Sequence, residues 1–352
     1  MPEPISVEEL QLAARNHGMP LEALRYAITP VGLHYLLSHY DIPLVDPVTW
    51  RLTINGLVAR PVELTLANLR ERPDDQEVVV TMECAGNGRA RLSPRPLSQP
   101  WLDEAVGTAH WRGVPLASVL EDVGLRDGVV ELVFSGLDRG SEAGVEQVYA
   151  RSLPLTEALR EDVLLAYEVN GQPLPPQHGF PLRLVVPGWY GMTNVKWLTA
   201  ITAADRRFEG HQQTVSYRLR ETEDEEGIPL DRMLPRALMV PPGVPSFPSR
   251  ERTLATGRCL LQGRAWSGFA AVARVEVSTD DGDSWVEAEL ERDVDSPWAW
   301  TAWEHAWEAR RGETALLCRA SDAAGNVQPL VPHWNLGGYA NNAVQRVSVT
   351  VV

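Results

Sequence analysis

The sequence predicts an α+β domain followed by an antiparallel β-sandwich. From Trp50 to about Ala204, strand-like and helix-like segments follow one another irregularly, without the repeat of a doubly wound parallel sheet. An acidic and proline-rich segment then interrupts this pattern, and the residues after it alternate like short strands joined by turns. The length of 352 residues suffices for two domains, each with its own core.

The first predicted element is a helix over residues 6–25. Ser6 and Glu9 have the spacing of a capping box, in which each side chain accepts a hydrogen bond from the other residue's backbone N–H. Apolar residues then recur at helical spacing before Gly18, at Val7, Leu10, Ala13 and Ala14.

The mixed segment contains both element types. Val78–Val80 and Leu182–Val186 are β-rich runs that predict strands. Leu116–Val123, entered through Pro115, predicts a short helix because proline fits the start of a helix.

A domain boundary follows this segment. Residues 221–226 contain five acids, and residues 235–248 contain five prolines. Proline cannot continue a helix or a central strand, so this stretch is predicted to be a linker or a sheet edge. We therefore expect two domains, residues 1–228 and residues 229–352.

The second domain has the sequence pattern of a sandwich. Arg274–Ser278 alternates polar and apolar residues, and Asp280–Asp283 forms a turn before Trp285. Ala315–Ala320 followed by residues 322–326 repeats strand and turn, and residues 347–352 close the chain as a β-branched strand. An antiparallel sandwich of about 100–120 residues fits this pattern.

The chain has only three cysteines, with no CxxC and no CxxCH motif. Cysteine-rich zinc clusters, iron–sulfur clusters and attached c-type haem are therefore excluded. Cys259 and Cys318 lie on either side of Trp266 and Trp285, an order found in immunoglobulin sandwiches. In a cytoplasmic protein we expect two buried thiols there rather than a disulfide.

Composition limits the classes of partner. With 32 basic and 47 acidic residues, the formal net charge of −15 argues against a nucleic-acid groove or an anionic membrane surface as the main partner. Hydrophobic residues make up 44% of the chain, too many for a disordered protein, and no apolar run is long enough to span a bilayer. Residues 1–5 show no export signal, so we expect a cytoplasmic location.

Cys84 lies where a buried strand meets a glycine-containing turn, in the segment Val78–Arg89. A dinucleotide loop does not fit, because Arg91 occupies the third glycine position of the GxGxxG pattern. Three interpretations remain: a nucleophile activated by a histidine such as His178, a thiolate ligand of a soft redox-active metal, or an ordinary buried cysteine. The residues alone favour the last.

Three sequence blocks decide among these interpretations. Cys84–Asn87 followed by Arg89, His178–Arg183 with Val185–Gly188, and Asn194–Leu198 resemble the sulfite oxidase family, in the family's order and at similar separations. The predicted sandwich resembles that family's immunoglobulin-like dimerisation domain. The resemblance extends from about residue 30 to the C-terminus.

The resemblance implies a molybdenum ion held by one pyranopterin dithiolene and by the thiolate of Cys84, with no haem in the chain. A soft sulfur donor suits such a metal, and binding requires a deprotonated thiol. Without the resemblance, the cofactor contacts that it implies would be interpreted as a surface histidine, salt-bridged strand residues and a turn aspartate. The implied cofactor-binding residues are Tyr35, His39, Cys84, Asp138, His178, Arg183 and Lys196.

Two positions depart from the family pattern. Leu37 replaces an arginine that holds the substrate oxyanion, and Phe208 replaces the catalytic tyrosine. Losing such an arginine contact costs about 2–4 kcal/mol of transition-state stabilisation, so efficient oxidation of sulfite itself is not expected. Tyr217 is a candidate to supply the missing hydroxyl, and Arg89 is the cation nearest to Cys84. The predicted catalytic residues are thus Cys84, Arg89 and Tyr217.

The resemblance implies oxygen-atom transfer to or from a small substrate, possibly a sulfur-containing anion, with electrons leaving singly to a separate redox protein. That acceptor would be a c-type cytochrome, a quinone-linked protein or a flavoprotein. The alternatives are a sulfoxide reductase-like activity on the same cofactor, a cofactor-free cysteine hydrolase, and a binding module whose surface is the tryptophan-rich stretch 298–307. We expect a homodimer formed through the sandwich, and no nucleic-acid or membrane partner.

Overall fold

A computed structural model describes residues 4–142 and 144–352. The expected absence of an export signal depends on residues 1–5, and residues 1–3 lie outside the described ranges. None of the helices within these ranges is both long and apolar enough to cross a bilayer.

The N-terminal helix α1, Val7–Arg15, begins as predicted and ends early. The Ser6 hydroxyl accepts from the Glu9 backbone N–H, and the Glu9 carboxylate accepts from the Ser6 N–H, which confirms the capping box. The predicted extension to residue 25 is wrong: Asn16 already has extended backbone, and residues 21–25 form a separate 3₁₀ turn. Pro20 explains the break, because proline removes a helical hydrogen bond and disfavours helix before it.

Few other helices follow, and most of the regular secondary structure of the described residues is β-sheet. The remaining α-helices are α2 Leu66–Arg70, α3 Leu116–Val123, α4 Leu155–Ala158 and α5 His211–Thr214. The predicted helix after Pro115 is confirmed as α3. The strands of the first part are β1 Leu52–Gly56, β2 Val62–Leu64, β3 Gln76–Glu83, β4 Val106–Pro115, β5 Glu131–Glu142, β6 Val145–Pro154, β7 Leu164–Val169, β8 Gln172–Pro173, β9 Arg183–Val185, β10 Leu198–Ala204, β11 Arg218–Leu219 and β12 Ile228–Pro229.

Two larger sheets and the two-stranded sheet β11-β12 build the first part. One of the larger sheets has the order β2-β1-β10-β5-β6, with β1 parallel to β10 and the other pairs antiparallel. The other has the order β3-β4-β7-β8, with β9 also paired to β7. A large apolar core joins strands of both sheets to α3. The residues of the site described below come from the segment before β1, the loop after β3, β5, β9 with the loops on either side of it, and the loop before β11.

The second part has two sheets that share one core. Its strands are β13 Arg236–Met239, β14 Val244–Pro245, β15 Arg252–Leu254, β16 Gly257–Trp266, β17 Val272–Ser278, β18 Val286–Glu287, β19 Glu289–Glu291, β20 Thr301–Ala309, β21 Gly312–Asp322 and β22 Gln345–Val351. The sheet orders are β13-β16-β20-β19 and β14-β15-β22-β21-β17-β18, and apolar residues of both pack together. The three predicted strands of this part are confirmed within β17, β21 and β22.

The proline-rich stretch contains an edge strand, one of the two structures predicted for it. β13 pairs only with β16, and prolines follow it at positions 241 and 242. The domain boundary between residues 228 and 229 stays a prediction, and the short strand β12 lies across it. Cys259 and Cys318 are free thiols, as expected, although Cys259 is only half-buried.

Candidate active site

A cavity lies in the first part of the chain, next to the loop that follows β3. Nine of the residues singled out from the sequence line it, although they come from distant parts of the chain. Arg89 and Phe208 are not among the lining residues. The nine are Tyr35, Leu37, His39, Cys84, Asp138, His178, Arg183, Lys196 and Tyr217.

Cys84 is placed by the end of β3 and by a tight turn. Its backbone N–H donates to the Ala105 carbonyl at 2.9 Å, and its carbonyl accepts from the Asn87 N–H at 2.9 Å. Gly88 has a φ of +86°, which a glycine adopts without the strain of a Cβ. Burial raises the pKa of the Cys84 thiol, and the nearby Arg89 guanidinium acts in the opposite direction. The thiol is 6% exposed, so a cation arriving in the cavity would face it directly.

Arg89 lies behind this turn. A Cβ on Gly86 would lie 2.6 Å from a guanidinium nitrogen, so the turn needs glycine there to admit the arginine. Arg89 Nε donates to the Gly337 carbonyl at 2.9 Å, and a second guanidinium nitrogen donates to the Gln99 carbonyl at 3.3 Å. Both partners are neutral, so within the described residues no carboxylate neutralises this buried cation.

Two further cations line the cavity itself. Arg183 donates to the carbonyls of His178 and Asn194 at 3.1 and 3.2 Å, and its Nε has no partner. Lys196 Nζ donates to the carbonyls of Leu37 and Gln177 at 2.8 and 3.0 Å. Burial lowers the pKa of Arg183 to about 10 and that of Lys196 to about 7. Arg183 also donates to the Met82 sulfur at 3.7 Å. Such desolvated cations, hydrogen-bonded to neutral groups, form a site for an anion.

Two buried histidines lie next to these cations. Burial lowers the pKa of His178 to about 2 and that of His34 to about 4, so both are neutral imidazoles at physiological pH. Their rings meet edge to face with centroids 5.7 Å apart. His34 is only 4% exposed, so water does not reach its ring freely, yet its Nε2 has no hydrogen-bond partner in the described structure. An unsatisfied polar atom at a cavity wall indicates a ligand that completes it.

Asp138 is the carboxylate of the cavity wall. Burial raises its pKa to about 6, against the lowering effect of Lys196. Its Oδ1 has no partner in the described residues. This carboxyl group can therefore accept from, or donate to, a polar ligand.

Tyr217 and His39 form a pair at the cavity wall. The Tyr217 hydroxyl and His39 Nε2 are hydrogen-bonded, and the His39 ring stacks on Tyr149 with centroids 4.7 Å apart. Burial lowers the pKa of His39 to about 3, so the imidazole is neutral and can accept the tyrosine proton. Tyr217 has a φ of +58°, a strained conformation for a residue other than glycine.

The two departures from the family pattern have different structural consequences. Leu37 lines the cavity and contributes an apolar side chain where an arginine would bring charge. Phe208 lies away from the lining residues, and its backbone N–H donates to Glu131 at 2.9 Å. Tyr217, the sequence's candidate to supply the missing hydroxyl, lines the cavity together with Tyr35 and Tyr149.

Sequence reasoning missed three residues of this region. His34 was passed over although it adjoins Tyr35, and Tyr149 and Arg151 were not considered. Tyr149 and Arg151 are two positions apart on β6 and therefore lie on the same face of the sheet. Both side chains are buried in the fold, which the sequence pattern of this strand does not indicate.

The second part of the chain holds the Cys84 turn from outside. The Ala340 N–H donates to the Ala85 carbonyl at 2.7 Å, and the Asn341 amide donates to the Gly88 carbonyl at 2.8 Å. Residues 335–341 therefore form one side of this turn's surroundings.

A buried ion network reaches the same turn from β13. Arg236 pairs with Glu83 at 2.9 Å and with Asp103 at 2.8 Å, and all three side chains are at most 3% exposed. Trp266 donates to the second Glu83 oxygen at 2.9 Å, and Asn87 donates to the first at 3.0 Å. The residue before Cys84 is thus held by both parts of the chain.

The residues present fit a metal that brings its own ligands. Among the described residues, no group of three histidine, cysteine, aspartate or glutamate side chains could hold a metal ion. Cys84 is thus a single protein thiol in the described structure, in the wall of a cavity that is also lined by polar and cationic side chains. The buried cations at Arg183 and Lys196 suit a phosphate group on one of those ligands.

Comparison with known proteins bears on this fit. The family model described as "Oxidoreductase molybdopterin binding domain" matches residues 39–212, and "Mo-co oxidoreductase dimerisation domain" matches residues 247–352. Sulfite oxidase of Arabidopsis thaliana is 32% identical over 91% of this chain and 87% of its own length. The chain belongs to the sulfite oxidase family. The molybdenum–molybdopterin cofactor of this family of oxidoreductases is therefore the cofactor of this member.

Two other relatives extend the comparison. Mitochondrial sulfite oxidase of Rattus norvegicus is 37% identical over 92% of this chain, which spans 62% of the rat protein. The crystal structure of the sulfane dehydrogenase SoxCD from Paracoccus pantotrophus has a TM-score of 0.83 and 28% identity, over 99% of this chain and 86% of that one. This sulfite oxidase family member thus shares its fold across nearly its whole length with a solved relative.

Proposed function

We propose that this family member oxidises a small sulfur-containing anion and passes the electrons to a separate acceptor. The substrate gains one oxygen atom derived from water, and two protons and two electrons are released. When bound, the molybdenum cofactor supplies two-electron oxygen-atom transfer. The observation that carries the proposal is the single thiol of Cys84 in a cavity surrounded by buried cations without carboxylate partners.

The chain's own residues have separable roles in this proposal. The Cys84 thiolate holds the metal, and the raised pKa of its thiol means that metal binding must release the proton. Arg183 and Lys196 bind the cofactor phosphate. His178 and His34 offer neutral ring nitrogens to the cofactor, and Tyr35 and Asp138 contribute polar groups at the same cavity wall.

Tyr217 and His39 act together. We assign the Tyr217 hydroxyl the role of hydrogen-bond donor at the reacting end of the cavity; in that state its oxygen accepts from Nε2–H of the neutral His39 ring, which orients the hydroxyl. His39, which the family resemblance implied as a cofactor contact, then positions Tyr217. Arg89 attracts the anion from behind the Cys84 turn, at a position outside the cavity lining.

Two alternatives receive unequal support. The similarity to SoxCD over 99% of the chain makes a sulfane sulfur a second candidate substrate, and the direction of oxygen transfer stays open to a sulfoxide reductase-like reaction. The cysteine hydrolase has less support, because burial raises the pKa of the Cys84 thiol whereas a nucleophile needs it lowered.

We also propose a homodimer and an external electron acceptor. The match of residues 247–352 to a dimerisation domain supports the dimer, and we propose that these strands form an immunoglobulin-like sandwich. A c-type cytochrome is our proposed acceptor.

The test combines metal analysis with an assay. Protein from a host able to make the cofactor should contain about one molybdenum per chain and should reduce ferricyanide with sulfite or thiosulfate. Cys84→Ser should lose activity and most of the metal, whereas Cys259→Ser, the matched control in the second part, should keep both. Wild-type protein without molybdenum or pterin would overturn the proposal.

A further inference from the structure

Arg151 is a buried cation for which the proposed mechanism has given no role. It lies on β6 and is 1% exposed. One guanidinium nitrogen donates to the Gln212 carbonyl, and Nε has no partner in the described residues. Burial lowers its pKa, because no acid compensates the loss of hydration. A guanidinium in this state costs stability unless a ligand neutralises it.

Arg151 belongs to a stack of four side chains. Its guanidinium carbon lies 5.7 Å from the ring centre of Tyr217. The Tyr217 ring lies 5.1 Å from that of Tyr339, and the guanidinium carbon of Arg89 lies 5.0 Å from the Tyr339 ring centre. Two cations thus flank two tyrosine rings, and the Tyr217 ring also lines the cavity. Each contact is within the range of a cation–π interaction.

The surroundings of this stack contain no compensating acid. Among the described residues, the groups with the largest electrostatic effect on Arg151 are Tyr149, Tyr217, Tyr339 and Arg218, and Arg151 also interacts with His39; none of these is a carboxylate, and Arg151 forms no salt bridge with one. Arg218 is neutralised separately by Glu226 at 3.2 Å. The stack therefore has an unbalanced positive charge close to the reacting end of the cavity.

The cofactor does not account for this charge. Its phosphate fits the other group of cations, where Arg183 and Lys196 interact with each other and with Asp138. The Leu37 side chain itself brings no charge to the cavity wall, and the Lys196 ammonium, which donates to the Leu37 carbonyl at 2.8 Å, belongs to that other group. A second anion, the substrate, is the remaining partner for the charge of Arg151.

We propose that Arg151 is a specificity-determining residue that selects an anionic substrate, in place of the cation absent at Leu37. The inference rests on the proposed function. Arg151 acts through Tyr217: its field attracts the anion, and the guanidinium over the ring polarises the phenol, so the hydroxyl donates a stronger hydrogen bond to an oxyanion. It is a positioning residue, because the Tyr217 ring separates it from the cavity.

The experiment measures anion binding by the purified holoenzyme. Radiolabelled sulfate is the probe, in equilibrium dialysis against wild type, Arg151→Met, Arg151→Lys and the control Arg218→Met, each with its molybdenum content determined. We expect sulfate to bind about tenfold or more weakly to Arg151→Met, and within about threefold of wild type to Arg151→Lys, because the charge is kept. Arg218→Met should bind sulfate like wild type.

Each contrary result has one meaning. Equal affinity of wild type and Arg151→Met, no sulfate binding by wild-type holoenzyme, or equal losses in Arg151→Met and Arg151→Lys would overturn the inference. If Arg151→Met does not fold, Arg151→Gln replaces it, and the same comparison with Arg151→Lys decides. A wild-type protein without molybdenum would overturn the proposed function instead, and metal analysis shows this before any dialysis.

Discussion

Arg236→Met should destabilise the protein strongly, because it leaves two carboxylates buried without their cation. In the wild type, the guanidinium lies 2.9 Å from Glu83 and 2.8 Å from Asp103, and the three side chains are at most 3% exposed. Removing one partner of a buried ion pair costs about 3–5 kcal/mol. Trp266 and Asn87 still donate to Glu83, and Arg91 still pairs with Asp103, so the loss should stay within this range.

The assay is urea unfolding followed by tryptophan fluorescence, with Arg346→Met as the matched control. Like Arg236, Arg346 uses two guanidinium nitrogens to bind acid, but both contact the same residue, Asp281, at 2.8 and 2.6 Å. Both side chains of this pair are more than half exposed. An exposed pair contributes little, so the control should unfold close to the wild-type midpoint. Because Glu83 precedes Cys84, Arg236→Met should also retain less molybdenum. Equal midpoints for the two variants would refute the reasoning.

Three further predictions concern the cavity and the assembly. Tyr217→Phe should lower kcat by about 10²-fold or more, because it removes the hydroxyl that meets His39. Adding Phe208→Tyr should not restore kcat, since position 208 lies outside the cavity lining. Steady-state kinetics of both variants test this prediction, and rescue by Phe208→Tyr would contradict it. Asp138→Asn should stabilise the cofactor-free protein at pH 7. The pKa of Asp138 in the folded protein is about 6, above the ordinary 3.8, so the stability of the wild type falls as pH rises between these values. The unfolding curves of the two proteins should therefore differ at pH 7 and converge near pH 4. The chain should sediment as a dimer at micromolar concentration through residues 247–352, and a monomer in sedimentation velocity would exclude this assembly.

Local features were predictable from the sequence because their causes are local. Ser6 and Glu9 cap α1 by a rule that depends only on their spacing. The helix was nevertheless predicted too long, because the prediction extended it past Gly18 and Pro20, two residues that oppose a helix. Turn chemistry likewise located the strands around residues 280–283 and 322–326.

Several residues that line the cavity could be assigned because they lie in recognisable sequence blocks. Cys84, His178, Arg183 and Lys196 line one cavity, as the family resemblance implied. Arg151 and Tyr149 escaped notice, since only the pairing of β6 in the folded sheet and the packing of Tyr217 bring them to the site. Long-range contacts of this kind leave no local pattern in a single sequence.

The contact between residues 335–341 and the Cys84 turn limits where the chain can be truncated without affecting the cavity. Backbone and amide groups of Ala340 and Asn341 occupy positions beside Ala85 and Gly88 that water would otherwise take. A truncated product ending before residue 335 would keep every cofactor ligand named above and still lack one of the supports of the sulfur donor. The residues proposed to bind the metal and those proposed to form the dimer thus lie in different parts of the sequence, but the first set depends on the second part of the chain for support.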